Sequence, residues 1–383
     1  MRIQQLRYDN GNFLSDPRNE AFLGTGDELV LVFGAKHILE QDPVLARVKE
    51  YFPKASHIWC STAGEIHDGM VYDNSLSVIA MEFEKTRIKT VGKKIAAFSS
   101  SFEAGKALFS ELDQLDLAYV LVIADGGLVN GSELVKGIHS VNPKGIPVTG
   151  GLAGDGDAFA YTLVGGNEKP ALGNMVAVGF YGHHLEVGYG SVGGWDRFGP
   201  ERHVTRVSGN RLYEIDHKNA LEIYKKYLGK YAAELPGSAL LFPLAVMAEG
   251  STTEVVRTIL SIDHEEGAMV FAGDIPERSR VWFMKANFDK LVGAATQAAT
   301  DAREIFNSGG RQTPKLAILI SCVGRKLILG NRIEEETEAV KDIFGSKVFI
   351  SGFYSYGEIS PVRPFSACQL HNQTMTITLI DEN

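Results

Sequence analysis

The feature that most constrains the fold of this chain is a pattern that occurs three times. Each copy contains a strand, a helix, a second strand and a turn in which glycine is followed by an acidic residue. The turns align without gaps as the hexapeptides CSTAGE at residues 60–65, GGLAGD at 150–155 and FYSYGE at 353–358. Internal repetition indicates that one supersecondary unit is built several times and packed against itself. The pattern therefore predicts three β-α-β-turn units.

Further strands follow each turn. Residues 76–83 with 87–91, and residues 159–164 with 175–180, are predicted to form antiparallel pairs, and two strands near 368–372 and 375–380 close the third unit. Helical crossovers join parallel strands, whereas hairpins join antiparallel ones, so the sheets are mixed. The predicted fold class is α/β, with two domains of mixed parallel and antiparallel sheets flanked by helices, built from repeated β-α-β-turn-β-β units.

The third unit opens with Lys315 and a purely apolar run at residues 316–320, which predicts a strand buried on both faces. The helix after it is predicted to begin at Asn331, because Glu334 three residues later completes a capping box. Gly345 is predicted as the left-handed residue that ends this helix. The segment between Cys322 and Asn331 is interpreted as a loop.

The length of 383 residues predicts two domains. Residues 179–199 contain seven glycines, a composition typical of a flexible junction, so the boundary is placed near residue 205. The predicted division is an N-terminal extension at 1–26, a first α/β domain at 27–205 and a second at 206–383.

Charge and cysteine content exclude several classes of protein. The net charge of -9 and the lack of a basic run argue against a nucleic-acid partner. Three cysteines, Cys60, Cys322 and Cys368, form no disulfide framework and suit a reducing compartment. No apolar segment has the length of a signal peptide or a membrane span, so we predict a cytoplasmic protein with no membrane association. The glycine-rich turns lack the lysine of a phosphate-binding loop.

Six short motifs, three in each half of the chain, resemble the FIST family of sensory domains. The C-terminal half carries Cys322-x-x-Arg325 after a buried strand, the GFYSYGEI sequence at 352–359 and HNQT at 371–374. The N-terminal half carries CSTAGEI at 60–66, GGLAGDG at 150–156 and NMVAVGF at 174–180. The resemblance implies a FIST N-like half and a FIST C-like half that act as a signal-input module. It also implies a small-molecule ligand and signalling partners that are either fused to such domains or encoded separately. Because the sequence shows no kinase or other output segment, we expect a separate partner, such as a histidine kinase.

The polar residues of the third unit predict a binding site for an amino-acid-like molecule. Glu358 beside Tyr354 and Tyr356 is a plausible receptor for an ammonium group, through charge pairing and cation–π attraction. Arg325 is interpreted either as a clamp for a ligand carboxylate or as the partner of an acidic helix at 334–336. The residues predicted to line one crevice at the strand ends are Cys322, Arg325, Tyr354, Tyr356, Glu358, His371 and Asn372.

The two other turns supply further ligand-binding candidates. These are Cys60, Ser61, Glu65, Gly154 and Asp155. The alternative interpretation of such turns is structural, because glycine provides a positive φ angle and the carboxylate accepts bonds from nearby backbone amides.

A thiol-dependent enzyme is the alternative function. Cys322 would be the nucleophile, His371 its base, and Asn372 or Glu358 the residue that orients the base. The opposing interpretation is an inert cysteine packed at the end of a buried strand.

The family resemblance also implies haem, because some FIST proteins that act alone are haem proteins that sense nitric oxide and regulate a partner kinase. Haem needs a histidine that is free of packing beside an apolar slot. His183 and His184 adjoin the glycine-rich junction and are the candidate iron ligands. The predicted ligand therefore stays open between haem with nitric oxide and an amino-acid-like molecule.

Overall fold

The computed structural model describes residues 1–235, 237–309, 313–361 and 366–383. The helices are α1 (Lys36–Leu39), α2 (Asp42–Tyr51), α3 (Ser101–Ser110), α4 (Gly131–Ser140), α5 (Ala220–Leu228), α6 (Phe288–Ser308), α7 (Val323–Leu329) and α8 (Ile333–Phe344). The strands before residue 193 are β1 (Arg2–Asp9), β2 (Asn12–Ser15), β3 (Asp27–Gly34), β4 (Ser56–Ser61), β5 (Glu65–His67), β6 (Met70–Tyr72), β7 (Leu76–Phe83), β8 (Arg87–Lys94), β9 (Leu117–Ala124), β10 (Val148–Leu152), β11 (Val164–Gly165), β12 (Asn174–Tyr181) and β13 (Leu185–Val192). Those after it are β14 (Asp196–Ser208), β15 (Arg211–Ile215), β16 (Lys218–Asn219), β17 (Leu244–Met247), β18 (Val255–Arg257), β19 (Ile259–Asp263), β20 (Ala268–Phe271), β21 (Arg280–Lys285), β22 (Leu316–Cys322), β23 (Phe349–Ser355), β24 (Gly357–Pro361), β25 (Cys368–His371) and β26 (Met375–Glu382).

The three predicted units are present, and each one forms the centre of its own sheet. The first strand pairs parallel with the second and antiparallel with a later strand of the same unit. In the first unit these are β3, β4 and β7. In the second they are β9, β10 and β12, and in the third β22, β23 and β26. The predicted α/β class with mixed sheets is confirmed.

The units exchange strands in a cycle. The strand immediately after each turn leaves its own unit and pairs with the second strand of another. Thus β5 pairs with β23, β24 with β10, and β11 with β4. The strand before each unit pairs at the opposite edge, as β1 does with β7, β8 with β12 and β13 with β26. No unit can therefore complete its sheet alone.

This exchange corrects the predicted hairpins. The strand β7 does not pair with β8, and β12 does not pair with residues 159–163, which are not a strand. Alternating hydrophobicity marks a segment as a strand, but it does not specify which of three similar sheets receives that strand.

A central core joins all three units, and we call their three sheets with α1–α4 and α6–α8 the three-sheet body. The core takes apolar side chains from β3, β9 and β22, and the rings of Phe33 and Phe353 stack with centroids 4.8 Å apart. The predicted N-terminal extension belongs to this core, because Ile3 on β1 is fully buried in it.

The predicted boundary near residue 205 lies within β14, and β13 pairs with β26 across it. The boundary therefore does not separate two hydrophobic cores.

A fourth sheet lies between β13 and α6 in the sequence. It contains β14 to β21, and with α5 it surrounds a hydrophobic core of its own. We call residues 196–285 the inserted domain. The chain leaves the body after β13 and returns at α6, so two connections join the inserted domain to the body.

The glycines of β13 serve close packing rather than flexibility. A Cβ atom on Gly188 would lie 2.1 Å from the Ala302 carbonyl oxygen, and one on Gly190 would lie 2.2 Å from the Ala298 carbonyl oxygen. Both carbonyls belong to α6, which therefore lies directly on this strand. Substitution of either glycine would push α6 away from the sheet.

The helical region after Cys322 also differs from the prediction. Cys322 itself is the N-cap of α7, so the expected loop is a helix. The next helix, α8, has Arg332 rather than Asn331 at its N-cap, while Gly345 ends it with a φ of 78° as predicted. Across the described ranges, no helix is long and apolar enough to cross a membrane.

Candidate functional site

A cavity of about 550 Å³ lies between the three-sheet body and the inserted domain. We call it the interdomain cavity. The body contributes residues that follow strand ends, at 126–130 after β9 and 322–324 after β22, together with Tyr356 and Asn372. The inserted domain contributes the opposite wall, which includes Asn210, Thr258 and Phe271. The cavity thus lies beyond the carboxyl ends of parallel strands, where α/β proteins bind ligands.

Three of the seven residues predicted for one crevice line this cavity: Cys322, Tyr356 and Asn372. The other four, Arg325, Tyr354, Glu358 and His371, do not line it and are buried. None of the residues in the wall from the inserted domain was predicted from the sequence. Its residues carry no motif, and only the docking of the inserted domain brings them opposite the strand ends.

The lining of the cavity is uncharged. Its polar side chains are amides, hydroxyls, phenols and one thiol, and the rest of the wall is aliphatic or aromatic. Within the described ranges, no Asp, Glu, Lys, Arg or His side chain lines it. An ionised ligand group would lose its hydration there without gaining an opposite charge, so the lining favours a neutral molecule.

Two polar groups beside the cavity lack hydrogen-bond partners. Asn372 is 1% exposed, and neither its amide nitrogen nor its amide oxygen has a partner among the described residues. The hydroxyl of Thr258, a 4% exposed residue on the opposite wall, is also unpaired within that part of the chain. Leaving a buried polar group unpaired costs about 1–3 kcal/mol, and such groups are often functional.

Arg325 forms a buried salt bridge instead of facing the cavity. The side chains of Arg325 and Glu336 are both 0% exposed, and Nη2 and Nε of the arginine donate to the carboxylate at 2.7 and 3.0 Å. Of the two interpretations from the sequence, the acidic helix is the one that the structure contains. With its guanidinium committed in this way, Arg325 cannot clamp a ligand carboxylate in this arrangement.

The same guanidinium also bonds backbone carbonyls next to both connections of the inserted domain. Its Nη1 donates to the carbonyl oxygen of Gly193 at 2.6 Å, immediately after β13. Its Nη2 donates to the carbonyl oxygen of Leu291 at 2.8 Å, in the first turn of α6. Arg325 lies one residue after Gly324, which lines the cavity. A single side chain therefore links the cavity wall to both connections.

Glu358 is a structural carboxyl rather than an ammonium receptor. It is 0% exposed and accepts hydrogen bonds from the Ser355 hydroxyl at 2.7 Å and from the Thr374 hydroxyl and amide at 2.9 and 3.1 Å. Burial raises its pKa to about 8. The two tyrosines bond elsewhere, Tyr354 to Glu336 and Tyr356 to Asp155. The predicted pocket of phenol rings around this carboxylate is not formed.

The first turn repeats this arrangement. Glu65 is buried and accepts from the hydroxyls of Thr62 and Ser75, and burial raises its pKa to about 7. In both turns a hydroxyl three residues before the glutamate donates to it. The structural interpretation of the glycine–acid turn therefore describes the hydrogen bonds of Glu65 and Glu358.

The remaining turn candidates join the turns to one another. The Ser61 hydroxyl donates to the Gly154 carbonyl at 2.8 Å and accepts from the backbone amide of residue 163. Cys60 is fully buried beside it. Asp155 pairs with Lys36 at 3.0 Å and accepts from the Tyr356 hydroxyl. None of these candidates lines the interdomain cavity, although Asp155 orients Tyr356, which does.

The residues present do not fit haem. His183 and His184 lie at the surface between β12 and β13, and the His183 side chain is 89% exposed rather than next to an apolar slot. The described residues contain no cluster of three or more His, Cys, Asp and Glu that could hold a metal ion. The interdomain cavity has no histidine in its described lining and no cation for the propionates.

The structure also lacks the pair that a thiol enzyme needs. Burial raises the pKa of the Cys322 thiol well above its ordinary value, and nearby Glu358 raises it further. His371 is buried with Nε2 3.0 Å from the Ser360 carbonyl oxygen, and burial lowers its pKa to about 4. No hydrogen bond joins the two residues in the described structure. Cys322 matches the inert, packed cysteine of the opposing interpretation.

We expect Cys322 to resist alkylation in the folded protein. Cys322 lines the cavity, but its raised pKa keeps the thiol protonated and therefore weakly nucleophilic, so labelling by iodoacetamide at pH 7.5 should be roughly tenfold or more slower than in urea. Peptide mass spectrometry measures the rate at each cysteine, with Cys60 as the buried control. Fast labelling of Cys322 alone, slowed by His371→Ala, would restore the thiol-enzyme interpretation.

Two domain families match this chain. Residues 28–218 match the FIST N domain and residues 220–361 match the FIST C domain. The chain is also 25% identical to an uncharacterized protein of Methanocaldococcus jannaschii, in an alignment that covers 86% of this chain and 69% of the relative. The two domain matches meet inside the inserted domain, next to β16.

Proposed function

This chain belongs to the FIST family, whose domains are sensors in signal transduction, and from that premise we propose that it detects a small uncharged molecule bound in the interdomain cavity. The composition of the cavity wall supports the proposal. The cavity has walls from both the body and the inserted domain, no charged side chain in its described lining, and the unpaired amide of Asn372 beside it. Neither an amino-acid zwitterion nor haem matches that lining, so the proposal includes neither.

The ligand would act by changing how the inserted domain docks on the body. A molecule in contact with both walls stabilises the docked arrangement by its differential affinity for that arrangement. The cavity wall at 322–324 leads directly to Arg325, which binds the carbonyls of both connections. The proposed signal is therefore a shift in the docking equilibrium.

A separate signalling protein, such as a histidine kinase, is the proposed receiver of this signal. Its support is the sensory role of the family. Co-purification of such a kinase with the chain, compared with and without a cavity-bound probe, tests the partner. Recovery of no signalling enzyme in either condition would remove the partner from the proposal.

The site is tested by closing the mouth of the cavity. Ala160 lines the cavity and is exposed, so Ala160→Trp adds bulk at the mouth without disturbing the core. Ala158→Trp is the matched control, because Ala158 is exposed in the same loop but does not line the cavity. Benzamide, benzoate and benzylamine are probes of one shape with neutral, negative and positive groups, and ligand-observed NMR measures their binding.

We expect benzamide to bind the unmodified chain and Ala158→Trp but not Ala160→Trp. Benzoate and benzylamine should bind at least about tenfold more weakly, because neither finds a counter-charge in the cavity. Asn372→Leu should weaken benzamide roughly 5- to 100-fold, the scale of lost hydrogen bonds. The same variant should be as stable as the parent or more stable, because it removes an unpaired buried amide. Tighter binding of a charged probe, or equal binding by both tryptophan variants, would contradict the proposal.

A further inference from the structure

A second cavity of about 290 Å³ lies between helix α4 of the body and the inserted domain. Its polar lining includes Lys136 and His139 from α4 and Ser251, Thr253, Arg257 and Asp274 from the inserted domain. Unlike the interdomain cavity, it contains charged side chains. The proposed sensing function makes no use of it.

Arg257 is the unusual member of this lining. It is 7% exposed, and its Nε and Nη1 donate to the carbonyl oxygens of Asp274, Val256 and Leu370 at 2.9–3.1 Å. All three acceptors are neutral backbone groups. Within the described part of the chain, Arg257 forms no salt bridge, and its Nη2 has no hydrogen-bond partner.

The nearest carboxylate is already engaged. Asp274 receives Lys136 Nζ at 2.8 Å and the Asn130 amide at 3.0 Å, so its two oxygens face those groups. Arg257 remains protonated at neutral pH, although burial lowers its pKa to about 10. With Lys136 and Arg257 against Asp274, the described charges of the cavity leave one positive charge without a counter-charge.

Arg325 shows how this chain satisfies a buried guanidinium elsewhere. Its side chain is 0% exposed, and Glu336 provides the opposite charge directly. Burying a charge without a partner is costly, so buried cations in proteins are normally paired. Arg257 is also buried, at 7% exposure, but no described carboxylate pairs with its guanidinium. An anion in the adjoining cavity would provide what is missing.

We propose that the second cavity binds a small anion, a carboxylate or phosphate group, through Arg257. The guanidinium Nη2 would donate to the anion, as arginine does in planar recognition of carboxylate and phosphate. The Ser251 and Thr253 side chains and Lys136 also line the cavity and would surround the bound group. Because Arg257 also bonds the Leu370 carbonyl of the body, the anion would strengthen docking of the inserted domain.

The test compares thermal unfolding of the full chain in phosphate, in acetate and in chloride at constant ionic strength. Arg257→Met removes the proposed anchor. Arg278→Met is the matched control, because the Arg278 side chain is 78% exposed on the same domain. We expect phosphate or acetate to raise the unfolding midpoint of the parent and of Arg278→Met by a saturable few degrees, and to leave Arg257→Met unchanged. The anion that saturates at the lower concentration identifies the ligand class.

Calorimetric titration with that anion measures the affinity directly. Arg257→Lys keeps the positive charge but loses the planar guanidinium with its paired N–H donors. This variant should therefore bind the anion roughly 10-fold more weakly while the chain stays folded. This variant replaces Arg257→Met if the methionine variant does not fold. A midpoint that rises without saturation and equally in all variants is a general salt effect and would overturn the proposal. Equal affinity in Arg257→Lys and the parent would overturn it as well.

Discussion

Replacing Glu336 with glutamine is expected to lower the free energy of unfolding by about 3–5 kcal/mol. The carboxylate is 0% exposed and is the direct counter-charge of Arg325, which is equally buried. It also accepts from the Ser321 and Tyr354 hydroxyls at 3.1 and 2.9 Å. Removing the charge leaves a buried guanidinium uncompensated, and this loss exceeds that of an exposed ion pair.

Glu335→Gln is the control for this prediction. Glu335 precedes Glu336 on the same helix and pairs with Arg332, but both side chains are more than 40% exposed. Its loss should cost less than about 1 kcal/mol. Urea denaturation measures both variants. Hydrogen exchange should also rise at the two connections near Gly193 and Leu291 in Glu336→Gln, because Arg325 binds both. Similar small losses in both variants would show that the buried pair does not hold the structure.

Glu358→Gln is expected to remove a large pH dependence of stability. Burial raises the pKa of Glu358 from 4.5 to about 8, and the facing groups are Ser355, Thr374, Cys322 and Arg325. The unfolded chain ionises near pH 4.5, whereas the folded chain keeps its proton until about pH 8. The stabilisation that this one group contributes is thus fully present below pH 4.5, declines above that pH, and is lost once the pH has risen through about 8. The loss from this one group is on the order of 3–5 kcal/mol.

The comparison of parent and variant isolates this effect. Both chains should have similar free energies of unfolding at pH 5, and Glu358→Gln should be the more stable by several kcal/mol above pH 8. The buried His371, whose pKa is lowered to about 4, has the opposite dependence but is present in both chains. Glu65, with a pKa of about 7, contributes equally to both as well. Parallel curves of stability against pH would contradict the prediction.

The sequence by itself determined the local elements and their order. The spacing of apolar residues predicted β3, β9 and β22 with their parallel partners, because period and apolar content depend only on neighbours in the chain. Gly345 marked the end of α8 because a positive φ is a local property of the backbone. The FIST motifs identified the family for the same reason, since they are contiguous in sequence.

Only the tertiary structure decided how those elements combine. The three units have similar hydrophobic patterns, so the exchange of β5, β11 and β24 between sheets depends on how the chain closes around its core. Arg325 was noticed in the sequence, but its choice between a ligand and Glu336 required the position of α8. Asn372 belongs to a recognised motif, yet its unpaired amide is visible only when every neighbour is in place. Thr258 and Arg257 carried no signal, because their importance comes from a contact between domains far apart in sequence.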